Sequence, residues 1–133
     1  MKAAVLHEFG EIPKYEEFPD PKVEGESEVL VRVKASALTN LTKGRASGHH
    51  YDSYRQLPAV VGVDGVGFLD DGARVYCDDS RPPYGTMAER TVVPRSRCVP
   101  IPGEVSDFDA AALPNPALSS WLPLFYRAPT STR

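Results

Sequence analysis

The stretch EVLVRVKASAL, residues 28–38, sets Val29, Val31, Val33 and Ala35 on one face and Arg32, Lys34 and Ser36 on the other. A period of two sends successive side chains to opposite faces of an extended chain, so the run predicts a half-buried strand with its valines on a core. Working outward, KAAVL (2–6), VVGVDGVGFL (60–69), ARVYC (73–77) and GTMAERTVV (85–93) read as further strands. Turn signals such as Pro19-Asp20-Pro21, Asp71-Gly72 and Pro82-Pro83 separate them. Short strands joined by turns predict a mainly β protein, a barrel or a sandwich.

Helical signals are sparse. NLTKGRAS (40–47) and SDFDAAAL (106–113) are weak candidates. A stronger one lies further on, with Asn115 placed to cap and Pro116 to take the first helical position. Leu118, Trp121, Leu122 and Phe125 then form one apolar stripe. Pro123 lacks the amide proton that would bond to Ser119, which predicts a kink or an end near Leu122.

A chain of 133 residues suffices for one core without staples. The net charge of -3 gives no footprint for nucleic acid or anionic lipid, so neither a nucleic-acid nor a membrane partner is expected. MKAAVLHEFG lacks the apolar centre of a secretory signal, and a cytoplasmic location is the expectation. Cys77 and Cys98 accordingly read as two reduced, partly buried thiols whose redox role the sequence leaves open.

Taken in order, LVRVKASALTN, VVGVDGVGFLDDGARVY, YGTMAERTVVPRSRCVPIP and AAALPNPALSSWLPL resemble the N-terminal catalytic domain of medium-chain dehydrogenases and reductases. More narrowly, they are similar to its zinc-independent quinone oxidoreductase branch. The resemblance implies a GroES-like, partly open β-barrel with a few short helices over residues 1–113. It reads residues 114–133 as the start of a helix bridging to a Rossmann domain, plus a tail, APTSTR. The few residues after the stripe cannot build a strand, a glycine turn, a helix and a second strand, so the chain reads as truncated and inactive by itself.

In the family the cofactor is NADPH and the substrate a small-molecule quinone or enone. By the same resemblance Asn40 and Ser119 are cofactor-binding candidates at the nicotinamide end. An amide both donates and accepts, although Asn40 is equally suited to cap a helix. The Ser119 hydroxyl can instead bond within its own helix. Tyr51 and Tyr54 are catalytic candidates, since a phenol can donate to a carbonyl oxygen gaining charge, with surface or packing roles as the alternative. Lys43 stands where the family has an acid, and the segment runs one residue short before Gly48.

Gly62, Gly65 and Gly67 are spaced G-x-x-G-x-G and lead into a strand, which fits tight bends rather than phosphate binding. No zinc is expected. The places of the alcohol-dehydrogenase ligands read Thr39-Asn40 and Val63, two cysteines cannot form a four-cysteine site, and adjacent His49 and His50 suit a surface turn. The second functional reading is a stand-alone binding module that docks a partner through the C-terminal apolar helix. A homo-oligomer through the Trp121/Phe125 stripe belongs to the same expectation, with both side chains covered by another subunit or poorly ordered.

Overall fold

The alternating run becomes β3 (Glu28–Ser36), the long central strand of the computed structural model, which describes residues 1–127. Val31 is fully buried among Leu69, Val75, Cys77 and Val93, with Val29 packed against the same cluster. Val33 is half-buried, and a register shift between Val33 and Ala35 turns Ala35 towards a second cluster around Val66. Full burial of Val31 stabilises the fold by about 1.5–3 kcal/mol.

The other strands are β1 (Lys2–Leu6), β2 (Lys14–Glu17), β4 (Ala59–Val60), β5 (Asp64–Phe68), β6 (Arg74–Asp78), β7 (Arg90–Pro94) and β8 (Cys98–Pro100). They form a three-stranded sheet, β2-β1-β4, and a five-stranded sheet, β7-β3-β5-β6-β8, with every pairing antiparallel. The segment before β7 joins them: Ala4 N donates to Met87 O at 2.8 Å, Glu89 N to Lys2 O at 3.1 Å, and Val33 N to Glu89 O at 3.0 Å. The result is the mainly β, curled and partly open barrel expected from the sequence.

The run 60–69, read as one strand, is two strands in different sheets. Gly62 has φ +107°, a backbone state that L side chains avoid, and there the chain leaves β4 and re-enters as β5. β2 and β8 carried no apolar alternation and were not expected; both are short edge strands.

Helix α1 (Asn40–Ser47) occupies the expected residues, but its cap is Thr39, whose Oγ1 accepts from Thr42 N at 3.2 Å. Helix α2 (Asp107–Ala112) is capped by Ser106, whose Oγ accepts from Asp109 N at 3.1 Å. Helix α3 (Pro114–Leu122) starts two residues earlier than expected. Leu113 already has helical angles, so the chain passes from α2 into α3 with Pro114, not Pro116, at the first position. α3 ends at Leu122, as Pro123 requires, and Pro123–Arg127 continue as a π-helical turn. The tail APTSTR lies outside the described residues.

Arg74 holds α2 to the barrel. Its guanidinium donates to Asp107 Oδ1 at 2.8 Å, Val105 O at 2.6 Å and Pro102 O at 3.3 Å.

Candidate functional site

Helix α1 and the loop after it form one unit. Arg45 Nε donates to Asp52 O at 2.9 Å, and its guanidinium lies over the Tyr54 ring at 5.2 Å. His50 packs against Tyr51 with ring centroids 4.3 Å apart. His50 Nδ1 accepts from Asp52 N at 3.1 Å, the surface-turn role expected for this pair. These contacts gather Tyr51 and Tyr54 at the C-terminal end of α1, while Asn40 stands at its N-terminal end.

The four candidates differ in presentation. Asn40 is exposed at the first position of α1, next to Thr39. Thr39 lines a cleft of about 330 Å³ with Leu38, Phe108 and Ala111, between the end of β3 and α2. Tyr51 is 97% exposed. The Tyr54 hydroxyl is buried with no hydrogen-bond partner among the described residues, at a cavity of about 220 Å³ that also has Arg45 and Arg55 in its wall. Burial pushes its pKa up from the usual 10, so Tyr54 remains a neutral donor at physiological pH. Ser119 is exposed on α3, away from α1, and donates to Asn115 O at 3.3 Å within its own helix. The four side chains do not meet in one cavity.

Sequence reading passed over the space beneath α1. A mostly apolar cavity of about 410 Å³ opens between α1 and the loop before β2, lined by Ile12, Leu38, Thr42, Lys43, Val61 and Met87. Ile12 and Leu38 are large apolar residues left 88% and 65% exposed, which suits a surface meant to meet an apolar ring. They sit in loops without periodicity, so no pattern marked them. Among the described residues, the exposed ammonium of Lys43 is the one cation in this wall.

Asp64, at the start of β5, is fully buried. Its Oδ2 accepts from Tyr76 Oη at 3.1 Å, and its carbonyl accepts from Ser36 Oγ at 3.1 Å and Thr86 Oγ1 at 2.9 Å. Burial raises its pKa from the ordinary 3.8, the Tyr76 bond opposes this, and nearby Asp78 adds to it. The folded chain thus holds this proton more tightly than the unfolded one. The associated stability is complete below the ordinary carboxyl pKa and is lost as pH rises through the higher folded value. Asp64→Asn keeps an acceptor for Tyr76 but cannot ionise. Thermal melts should show the variant gaining on the parent protein at pH 7 relative to pH 4; an equal difference at both values would contradict the assignment.

No cluster of three or more His, Cys, Asp or Glu able to hold a metal ion occurs among the described residues. None of the described helices is long and apolar enough to cross a membrane.

No protein-family model matches the sequence, and no curated protein matches it. Solved structures do. The quinone oxidoreductase of Thermus thermophilus, also solved in complex with NADPH, is 32% identical with a TM-score of 0.83 over 94% of this chain. The quinone oxidoreductase of Pseudomonas syringae pv. Tomato is 26% identical, TM-score 0.78, over 95%. An NAD-dependent alcohol dehydrogenase is 28% identical, TM-score 0.79, over 92%. The chain spans 40%, 42% and 46% of the lengths of these three proteins.

The half-open antiparallel barrel and this agreement make the chain a GroES-like domain of the medium-chain dehydrogenase/reductase superfamily. Among the members compared, quinone oxidoreductases and an alcohol dehydrogenase share its fold, and the Thermus quinone oxidoreductase also shares nearly a third of its residues.

Proposed function

We propose that this chain is the substrate-side domain of an NADPH-dependent quinone or enone reductase, with residues 1–113 as the barrel and the helix from 114 onward leading to a dinucleotide-binding unit. The observation that carries the reading is the apolar cavity under α1, set in a barrel that matches a quinone oxidoreductase solved with NADPH. A planar, electron-poor ring suits walls of Ile12, Leu38, Val61 and Met87.

The residues present fit the nicotinamide end of such a cofactor and no more of it. The exposed Asn40 amide donates and accepts, and Ser119 retains lone pairs that accept while its proton stays in the helix. Bound NADPH supplies a hydride. What this chain's residues do is hold the ring, exclude water around it, and meet the oxygen that gains charge. The Lys43 ammonium in the cavity wall meets that oxygen and stabilises an anionic product, whereas Tyr54 keeps its proton at a separate cavity and Tyr51 is exposed on the same loop, so neither phenol lines this wall. No step in this scheme requires zinc.

Trp121 and Phe125 stack on each other at 4.0 Å and remain 56% and 59% exposed, so the chain's own barrel does not cover them. With Leu118 they form the face against which the dinucleotide-binding unit packs in this reading; a second copy of the chain is the alternative occupant.

A fusion of residues 1–122 to the dinucleotide-binding half of the Thermus relative tests the proposal. Quinone-dependent oxidation of NADPH, unchanged by a zinc chelator, is the expected result. A folded fusion that binds NADPH and turns over neither a quinone nor an enone would overturn it.

A further inference from the structure

The two cysteines, twenty-one positions apart in the sequence, face each other. Cys77 in β6 is the direct cross-strand partner of Cys98 in β8. Both are free thiols, Cys77 fully buried and Cys98 partly so, and Cys98 packs on the cluster that contains Cys77.

The hydrogen-bond phase of the ladder fixes how close they stand. Ile101 N donates to Arg74 O at 3.1 Å, which makes Arg74 and Ile101 a hydrogen-bonded pair. Pairs alternate along an antiparallel ladder, so Val75 with Pro100 is non-bonded, Tyr76 with Val99 bonded, and Cys77 with Cys98 non-bonded. Pro100, which has no amide proton, sits at a position that needs none. Non-bonded partners have Cα atoms about 4.5 Å apart and side chains directed at each other, inside the window of about 4.4–6.8 Å that disulfides occupy.

We propose that Cys77 and Cys98 form a reversible cross-strand disulfide that staples the edge strand β8 to β6. A small-molecule disulfide is the oxidant. The thiolate of Cys98, the accessible partner, attacks one sulfur of glutathione disulfide; its S–S bond breaks and one glutathione leaves as thiolate. The Cys77 thiolate then attacks Cys98 Sγ, breaking the mixed disulfide and releasing the second glutathione. Two electrons pass from the cysteines to the oxidant, and the two thiol protons end on the two glutathiones.

Burial raises the pKa of both thiols, that of Cys77 to about 12, so few thiolates exist at neutral pH and the staple closes slowly. It follows the equilibrium redox poise instead of acting as a fast peroxide sensor. Its consequence lies in the fold. β8 runs into the segment that holds α2 and α3, and Val99 and Ile101 share one apolar groove with Leu118 and Trp121. Closing the pair fixes the floor of that groove.

Incubation of the protein with glutathione disulfide at pH 8, followed by alkylation with N-ethylmaleimide and intact-mass and peptide analysis, tests this. The expected product has lost two hydrogens, takes up no maleimide and yields one peptide pair linked through Cys77 and Cys98. Its melting temperature should rise by roughly 5 °C or more and fall back on reduction with dithiothreitol. Cys98→Ser should show neither change, while Cys77→Ala should stop at the glutathione adduct on Cys98. Two free thiols at the end, a persistent adduct on wild-type Cys98, or a linkage between two chains would each overturn the proposal, and the wild-type mass decides even where a variant does not fold.

Discussion

Replacing Gly67 with alanine is expected to lower the unfolding free energy by about 3 kcal/mol, or about 10 °C in melting temperature. Gly67 lies in β5 opposite Val33 of β3. A Cβ built there would overlap the Arg32 carbonyl oxygen and come within 2.7 Å of Val31 Cγ1. The oxygen belongs to a paired backbone and cannot move without breaking the β3–β5 ladder, and Val31 is fixed in the core. The barrel must open slightly or the pairing must fail. Gly103→Ala is the control, because nothing lies within 4 Å of its added Cβ. Urea unfolding of the two variants makes the comparison, and a Gly67→Ala protein as stable as the control would show that the strands are not held this closely.

Calorimetric titration of the 133-residue chain with NADPH should give a dissociation constant in the millimolar range or weaker. Dinucleotides are held chiefly by a glycine-rich turn that leads a strand into a helix whose N-terminus faces the pyrophosphate. Among the described residues the glycine run 62–67 enters a strand, and every pairing is antiparallel. Asn40, Ser119 and one tyrosine remain. At roughly 0.5–1.5 kcal/mol each, three hydrogen bonds give about 1.5–4.5 kcal/mol. Micromolar binding needs about 8 kcal/mol, before the cost of ordering a flexible ligand. No quinone-dependent oxidation of NADPH by this chain alone is expected either. One-to-one binding at micromolar affinity would contradict both expectations and the proposed division of labour.

The candidate site shows where sequence reading stops. Asn40, Tyr51 and Tyr54 lie within fifteen residues of one another, yet Asn40 starts α1 and the tyrosines follow its other end, so closeness in sequence did not bring them to one cavity. Ser119 had no such link, and the fold leaves it on α3, bonded to Asn115. The cavity under α1 combines Ile12, Leu38, Val61 and Met87 from four separate segments, and no periodicity can signal such a meeting.

What the sequence by itself determined is local. Alternation specified β3, because a period of two can bury only one face. The residues at the starts of α1 and α2 supply the caps, Thr39 and Ser106, although the sequence had offered Asn40 for the first. Pro123 ended α3 for want of an amide proton. Tertiary structure decided whatever depends on the register of distant strands. It moved the chain between sheets at Gly62, where a positive φ and the close approach of the Met87 backbone and the Thr86 hydroxyl demand a missing side chain. It buried Asp64 beneath Tyr76, and it set Cys77 opposite Cys98. The physical reason is common to all three: which residues face each other across a ladder is fixed by the pairing of segments far apart in the chain, and each segment is compatible with several registers until the others hold it in place.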